Sequence, residues 1–322
     1  MLTVYARQNG LLVPSHLDAG RAVENDTVWV DLENPTQEEE RLVEAALGLA
    51  VPTREEMQEI EVSSRLYQEN GALFMTASVM SQVETERPLV TPISFILAGH
   101  RLVTIRYESP LPIRSYVAKA MRTANPCGTG EEVMVGILEA IVDRLADVLE
   151  RVQHDMEDIS SYIFRRENEG GAVDYSGTLR RIGRAQSLAA KARESLVSIG
   201  RLLTFVGRPG EEKQAKSVAR TFKIVQRDIL SLSDHASYLA TNINFLLDAT
   251  LGLINNDQTR VIKIFSLAAV IFLPPTLIAS IYGMNFAVMP ELDWWFGYPL
   301  ALVMMVLSAL VTYYLFKRRG WL

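Results

Sequence analysis

The hydrophobic and polar positions change their pattern twice along the chain. Up to about residue 127, short apolar runs alternate with polar segments, as in β-strands joined by turns and helices. From Gly130 onward, apolar residues recur at every third or fourth position, which is the spacing of a buried helix face. The C-terminal end holds two long runs without any charge. The pattern therefore predicts an α/β part, a helical part and a membrane-inserted end.

The first part, residues 1–127, is predicted to be a cytoplasmic α/β domain. Thr36 followed by Glu39 has the spacing of a capping box, which opens a helix expected to run through Leu47. The order of elements indicates a small sheet with helices packed on it, without fixing the topology. The predicted strands are residues 27–32, residues 73–80 and a pair within 93–107 that is joined at Gly99-His100.

The helical part is predicted to contain a hairpin over 128–212 and a stalk helix over 213–263. Breaks at 168–177 and 207–212 separate the helices. After 212 no comparable break occurs before Pro274, so one helix is expected to continue into the first uncharged run and to reach on the order of 100 Å. The positions expected on the buried face of the first helix are Leu138, Ile141, Leu145, Val148, Val152, Met156, Ile159 and Ile163.

The stalk helix carries a seven-residue repeat that requires a helical partner. Either the earlier helices of the same chain or further copies of the chain could provide it. Self-association is the favoured interpretation, because the repeat leads directly into a membrane span. The repeat consists of Leu232, Leu239, Leu246 and Leu253, interleaved with Ile229, Ala236, Ile243 and Thr250.

Two stretches are long enough to cross a bilayer as helices. Residues 264–290 carry no charge over 27 positions, and residues 294–316 carry none over 23. We predict transmembrane helices over 264–286 and 294–316, an external loop over 287–293 and a basic tail over 317–322. Two buried helices of a large soluble core are the alternative.

The flanking charges predict the orientation of this hairpin. Arg260 and Lys263 precede the first span and the basic tail follows the second, whereas the connection has only Glu291 and Asp293. By the positive-inside rule, both termini are cytoplasmic and the loop is external. The protein is thus expected in the cell (inner) membrane as a multi-pass protein.

Composition excludes several classes of function. A net charge of −6 argues against a nucleic-acid partner, and one cysteine, Cys127, excludes an intramolecular disulfide. The four histidines lack metal-ligand spacing such as HExxH, and no phosphate loop is present. We expect neither an enzyme nor a resident cofactor.

The first predicted span has one face that is smaller and more polar than the rest. Ser266, Ala269, Leu273, Thr276 and Ser280 follow each other at steps of three or four residues. The face is consistent with a pore lining, and equally with close helix packing, which also favours small residues. A pore would require several chains, because one two-span hairpin cannot enclose it.

The end of this span resembles the CorA family of divalent-metal transporters. The resemblance rests on YGMNF at 282–286, MPEL at 289–292, FGYP at 296–299 and the basic tail KRRGWL, and extends more loosely to VWVDLENPT near the N-terminus. It implies a homopentameric funnel in which stalk helices continue into a central ring of first spans. It also implies an outer mouth of Gly283, Met284 and Asn285, with Asn285 holding hydrated Mg²⁺ through its water shell.

The same resemblance implies roles for further residues. Thr276 and Ser280 would line the pore, Leu273 would form an apolar constriction, and Glu291 would attract cations to the entrance. Ala287 stands where close relatives often have an acid, so weaker capture of cations is expected. Cytoplasmic Mg²⁺ would hold the pore shut, and Asp228 and Asp234 are candidate regulatory ligands.

Three functions remain open at this level. The first is channel-like Mg²⁺ uptake, driven by the membrane potential, with Co²⁺ and Ni²⁺ as minor substrates. The second is Zn²⁺ transport within the same family, which the MPEL loop disfavours. The third is a membrane-anchored interaction module without transport, which leaves the polar face unexplained.

Overall fold

The computed structural model describes residues 1–15, 26–85, 87–122, 128–168, 173–207, 216–285, 289–290 and 294–319. Two compact units divide the chain, Met1–Leu247 and Asp248–Leu322. Predictions made on Cys127, Ala287, Glu291 and Asp293 fall outside the described residues.

A seven-stranded sheet forms the centre of the first unit. Its order is β2-β1-β3-β7-β6-β5-β4, and the β3–β7 pair is parallel while the other pairs are antiparallel. The expected strands over 27–32, 73–80 and 93–107 are confirmed. The strands are β1 Leu2–Gln8, β2 Leu11–Ser15, β3 Thr27–Glu33, β4 Leu66–Glu69, β5 Ala72–Ser81, β6 Leu89–Ala98 and β7 Arg101–Arg106.

Two hairpins of this sheet turn on an Asn-Gly pair. Asn9 and Gly10 have φ angles of 52° and 79°, and Asn70 and Gly71 have φ angles of 50° and 79°. Tight hairpin turns require positive φ at both central residues, and Asn-Gly is the sequence that tolerates it best. These turns fix the β1–β2 and β4–β5 pairings.

One face of the sheet is covered by α1 (Gln37–Leu47) and α2 (Arg54–Gln58), followed by the short α3 (Val62–Arg65). Val43 and Met57 bring these helices into the same buried cluster as Val30 and Ile105 of the sheet. The predicted capping box is confirmed: Thr36 Oγ1 accepts from Glu39 N, and Glu39 Oε2 accepts from Thr36 N at 3.0 Å.

A buried ionic network joins the two parallel strands. Arg106 on β7 contacts Asp31 Oδ2 at 2.8 Å and Glu33 Oε2 at 2.7 Å, and Asp31 also accepts from Thr104 Oγ1 at 2.7 Å. Both Arg106 and Asp31 are buried. Burial opposes ionisation of Glu33, but the Arg106 charge outweighs it and lowers the pKa of that carboxyl. The β3–β7 pair therefore depends on a charge that is costly to leave unpaired.

The other side of the sheet is occupied by one short helix and two long ones. These are α4 (Leu111–Ala120), α5 (Gly130–Asn168) and α6 (Tyr175–Val206). The eight positions predicted for the buried face of the first long helix, from Leu138 to Ile163, are all buried. Ser198 of α6 accepts a hydrogen bond from Ser78 N on β5 at 2.8 Å, which fixes this helix against the sheet.

The predicted stalk helix and first span form one helix, α7, from Lys216 to Tyr282. It is 67 residues long and continues through Pro274 and Pro275. The part of α7 from Asp248 onward and the following α8 (Gly297–Arg318) belong to the second unit.

The seven-residue repeat on α7 packs against the chain itself. Ile229, Ala236, Leu239, Ile243 and Leu246 are all buried within the single chain. A side chain at Gly200 of α6 would contact Ile229 at 3.3 Å, which identifies α6 as one partner. Of the two partners predicted for the repeat, the structure shows the earlier helices at these positions, while Leu232 and Leu253 are only half-buried.

Candidate functional site

The two apolar helices have the properties of membrane spans. Helices Val218–Tyr282 and Gly297–Arg318 each contain a window long and apolar enough to cross a membrane. The windows are 0% and 6% buried in the chain. A core helix of a soluble protein would be mostly covered, so the exposed apolar surface favours a lipid or partner environment over the soluble-core alternative.

One face of α7 is turned toward α8 within the second unit. Tyr282 of α7 and the following Gly283 line the same cavity as Gly297, Tyr298 and Ala301 of α8. Gly297 and Ala301 are buried, and such small residues allow two helices to approach closely. The half-buried positions on this side of α7 are Leu267, Ile271, Pro274, Ile278 and Tyr282.

The predicted polar face lies on the opposite side of α7. At about 100° per residue, Ser266, Leu273 and Ser280 point about 120–180° away from Ile271 and Ile278. Ser266, Ala269, Leu273, Thr276 and Ser280 are all exposed in the single chain. Packing against the chain's own second span therefore does not explain their small size. The face is available to lipid, to water or to other chains.

Two side chains of this face, Leu273 and Thr276, show its exposure and its hydrogen-bonding capacity. Leu273 is 68% exposed, as is the neighbouring Phe272. Thr276 Oγ1 donates to the carbonyl of Phe272 at 2.7 Å, so its lone pairs stay available to a further donor or cation. The predicted constriction and polar position are thus adjacent turns of one uncovered surface.

The predicted mouth residues follow directly on the helix end. Gly283 N donates to Ala279 O at 3.0 Å, and Met284 N donates to Ile281 O at 3.2 Å, which closes α7 with a tightened turn. A Cβ atom at Gly283 would lie 3.2 Å from Ala279 O, so glycine suits this position. Met284 and Asn285 are both exposed. The predicted cation-attracting Glu291 lies outside the described residues.

The candidate regulatory residues do not form a metal site in the single chain. Asp228 lies close enough to Asp143 of α5 to influence it: burial first, then the charges of Asp147 and Asp228, raise the pKa of the Asp143 carboxyl. Asp234 is exposed six residues further along α7. Within the described ranges, no group of three or more His, Cys, Asp or Glu is positioned to hold a metal ion. Asp143 was not singled out from the sequence, because its approach to Asp228 depends on how α5 and α7 pack.

Comparisons with known proteins agree with this architecture. The family model described as "CorA-like Mg2+ transporter protein" matches residues 24–318. The magnesium transport protein CorA of Escherichia coli (strain K12) is 34% identical over 328 aligned positions, which cover 100% of both chains. The protein of the same name from Salmonella typhimurium is 36% identical over 303 positions, or 92% of each chain.

A solved structure shares the whole fold. The complete structure of the CorA magnesium transporter from Methanocaldococcus jannaschii superimposes with a TM-score of 0.78. The alignment covers 100% of this chain and 99% of that chain, at 20% identity. The α/β part, the long helix and the two apolar C-terminal helices thus recur together in a known protein.

Proposed function

The chain belongs to the CorA family of Mg²⁺ transporters, and from this premise we propose that it carries Mg²⁺ across a membrane. The observation that carries the proposal is the uncovered face of α7, where Ser266, Thr276 and Ser280 lie on an apolar helix opposite its contact with α8. Polar side chains on a membrane helix are costly unless they face water or protein. A water-filled path formed by several copies satisfies them.

The proposed path is channel-like and needs a ring of chains, for which the family suggests a homopentamer. Each chain contributes α7 to the axis and α8 to the outside. Leu273 forms the apolar constriction. Thr276 and Ser280, which lie about one helical turn apart, each form a polar ring. Asn285, together with Gly283 and Met284, forms the outer mouth.

The chemistry of Asn285 suits a hydrated magnesium ion. Mg²⁺ prefers oxygen ligands and loses its water reluctantly. A ring of neutral amide oxygens can hydrogen-bond to the water shell, so that the ion is selected without being trapped. Glu291 would add negative charge near the entrance and raise the local cation concentration.

The driving force and regulation follow from charge. Inward movement of two charges gains roughly 4.6 kcal/mol per 100 mV, so the membrane potential alone can drive uptake. We further propose that cytoplasmic Mg²⁺ favours the closed state by binding it more tightly. Asp228 is the better of the two regulatory candidates, because its charge, like that of Asp147, acts on the Asp143 carboxyl and raises its pKa. Co²⁺ and Ni²⁺ are proposed as minor substrates. The protein would reside in the inner membrane with both termini in the cytoplasm.

Reconstitution tests the function directly. The purified full chain is placed in liposomes that contain a Mg²⁺-sensitive dye, and uptake is started by external Mg²⁺. We expect uptake in the wild type and its loss in Asn285→Ala. Asn244→Ala, which removes an exposed amide from the cytoplasmic part of α7, is the matched control and should transport normally.

Three outcomes separate the alternatives. Absence of uptake by the wild type would leave the membrane-anchored module as the better explanation. Normal uptake by Asn285→Ala would disprove the role of the mouth while keeping transport. If Zn²⁺ abolished Mg²⁺ uptake while excess Mg²⁺ did not reduce Zn²⁺ uptake, the protein would be identified as a zinc transporter.

A further inference from the structure

Pro274 and Pro275 lie on the side of α7 that faces α8. Both are half-buried, as is Ile271 one turn earlier, while Thr276 is exposed. The two helices pack against each other on this side, because the end of α7 and the start of α8 line one cavity. The interruption that the prolines make in the helix is therefore turned toward the second span and away from the proposed ion path.

The carbonyl of Ile271 loses its helical donor at this interruption. In a regular helix it accepts from the N–H of residue 275, and the proline at that position has none. The carbonyl of Val270 loses its donor in the same way, but Val270 is 40% exposed and lies at the edge of this side. Inside a bilayer no water replaces a missing donor, and a serine or threonine of a neighbouring helix can provide one.

Ser308 of α8 carries the hydroxyl that lies at the level of this carbonyl. It is half-buried, on the same side of α8 as the buried Ala301. The shared cavity places Tyr282 opposite Tyr298 and Ala301. Because antiparallel helices both rise by about 1.5 Å per residue, residues 271–275 come level with about residues 307–311. Thr312, the next hydroxyl on this side of α8, lies beyond that level.

The present hydrogen bond of Ser308 can be exchanged without any change in the backbone. Its Oγ donates to the carbonyl of Met305 at 2.8 Å. Met305 lies inside α8, where its carbonyl also has the helical donor four residues later, so it does not depend on the serine. Rotation about the Cα–Cβ bond moves the hydroxyl between staggered positions and hence between acceptors.

We propose that Ser308 is a positioning residue for the ion path, and that its hydroxyl replaces the donor that Pro275 cannot give to the Ile271 carbonyl. The bond ties α8 to the turn of α7 that carries Leu273 and Thr276. It thereby fixes these two side chains relative to the second span. The inference rests on the proposed function, which places Leu273 and Thr276 on the path, whereas the bond itself does not require transport.

A double-mutant cycle with Pro275 tests this bond. Pro275→Ala restores an N–H for the Ile271 carbonyl, so the serine should become dispensable in that background. In the otherwise unchanged full chain, Ser308→Ala should lower initial Mg²⁺ uptake into dye-loaded liposomes by about threefold, the effect of an average interhelical hydrogen bond in a membrane. It should have no effect on uptake when Pro275→Ala is present. Ser308→Thr keeps the hydroxyl and should transport at the wild-type rate.

Ser237→Ala is the matched control for loss of a serine bond within a helix. Ser237 is also half-buried, and its Oγ donates to the carbonyl of Ser233 at 2.9 Å on a part of α7 without proline. This variant should leave uptake unchanged in both backgrounds. An equal effect of Ser308→Ala with and without Pro275, or the same loss in Ser308→Thr, would overturn the proposal.

Thermal unfolding in detergent separates failure of the bond from failure of the function. Ser308→Ala should lower the unfolding midpoint by about 1–2 °C when Pro275 is present and should not change it in Pro275→Ala. This measurement decides the question if Pro275→Ala by itself stops uptake. Coupled midpoints in a chain that takes up no Mg²⁺ would keep the bond and refute transport. Uptake by the wild type with uncoupled midpoints would refute the bond and leave transport standing.

Discussion

Thr276 shows how a single hydroxyl can be tested for a place on an ion path. Its Oγ1 donates to Phe272 O at 2.7 Å, and Thr312 on α8 makes the same bond to Ser308 O at 2.8 Å. The two differ in location, since Thr276 lies on the exposed face of α7 and Thr312 is half-buried. This pair separates loss of a helix-internal hydrogen bond from loss of a pore-lining hydroxyl.

We expect Thr276→Val to lower Mg²⁺ uptake by about tenfold, which corresponds to roughly 1.4 kcal/mol on the barrier. Valine keeps the shape and removes the oxygen that a hydrated ion would meet. Thr312→Val should transport at the wild-type rate. Initial rates in dye-loaded liposomes provide the measurement, and equal effects of both variants would remove Thr276 from the path.

The requirement for glycine at position 283 can be tested by adding a Cβ atom. In Gly283→Ala the new Cβ would lie 3.2 Å from Ala279 O, so the helix end must move by a few tenths of an ångström and displace Asn285. We expect uptake about fivefold lower, the effect of roughly 1 kcal/mol of angle strain. Gly183→Ala on α6, where a Cβ meets nothing within 4 Å, is the control and should transport normally. Unchanged uptake in Gly283→Ala would show that the mouth tolerates this shift.

Arg106 is expected to be the most sensitive charged residue of the first unit. Arg106→Met leaves Asp31 buried beside Glu33 without a counter-charge, and such a loss typically costs about 3–5 kcal/mol. Arg144→Met breaks a surface contact with the exposed Glu84 and should cost at most about 1 kcal/mol. Denaturant unfolding of the full chain in detergent compares the two. Similar losses for both would mean that the buried network is not a stability determinant.

At the scale of elements, α7 has one face that is buried in the chain and one that is exposed. The sequence pattern predicts the buried face much more clearly than the exposed one. The leucine repeat is recognisable in the sequence by its seven-residue spacing. This spacing indicates that the helix packs against a partner, but it does not identify the partner. The structure shows that Leu239 is buried inside the chain while the neighbouring Tyr238 is 60% exposed. The face that remains open is polar or mixed in much of its length, so no hydrophobic pattern reveals it.

This division predicts opposite outcomes for adjacent residues. Leu239→Ala should lower the free energy of unfolding by about 2–5 kcal/mol, because it opens a cavity in a closed core. Tyr238→Ala removes a larger but exposed side chain and should change it by less than about 1 kcal/mol. Thermal unfolding of the full chain in detergent measures both. A larger loss for Tyr238→Ala would mean that its face is covered in the assembly.

The sheet illustrates which elements could be found in advance. Strands β3, β5, β6 and β7 are rich in branched and aromatic residues and were predicted from composition. Strands β1, β2 and β4 were missed, because β2 and β4 are short and β1 mixes polar with apolar residues. The turns Asn9-Gly10 and Asn70-Gly71 were the available signal for them. The parallel β3–β7 pair depends on contacts distant in sequence and could not be predicted.

The candidate site was predictable only in part. The apolar runs located both spans, and the spacing of Ser266, Thr276 and Ser280 located the polar face. The mouth at Gly283–Asn285 came from resemblance to a family, since three residues carry no geometry by themselves. The approach of Asp228 to Asp143 arises from tertiary packing, which local patterns do not encode.

For the whole molecule, the proposed transport is a charge movement and should respond to voltage. With equal Mg²⁺ on both sides of a liposome, an inside-negative potential of about 100 mV provides roughly 4.6 kcal/mol for a divalent ion. We expect net uptake that increases with this potential and reverses with its sign. Potassium gradients with valinomycin set the potential, and protein-free liposomes are the control. Uptake independent of potential would indicate electroneutral exchange.

Pro274 and Pro275 mark the place where α7 can bend at the lowest energetic cost. Proline has no N–H, so this pair cannot hydrogen-bond to the carbonyls of Val270 and Ile271, while the rest of the helix keeps its ladder. Flexing of this 67-residue helix should concentrate at that point, one turn from Leu273 and Thr276. Bending at this point, beside the narrowest part of the proposed path, would allow small rotations of the segment that follows the prolines. Such rotations would change the width of the path while α7 stays folded.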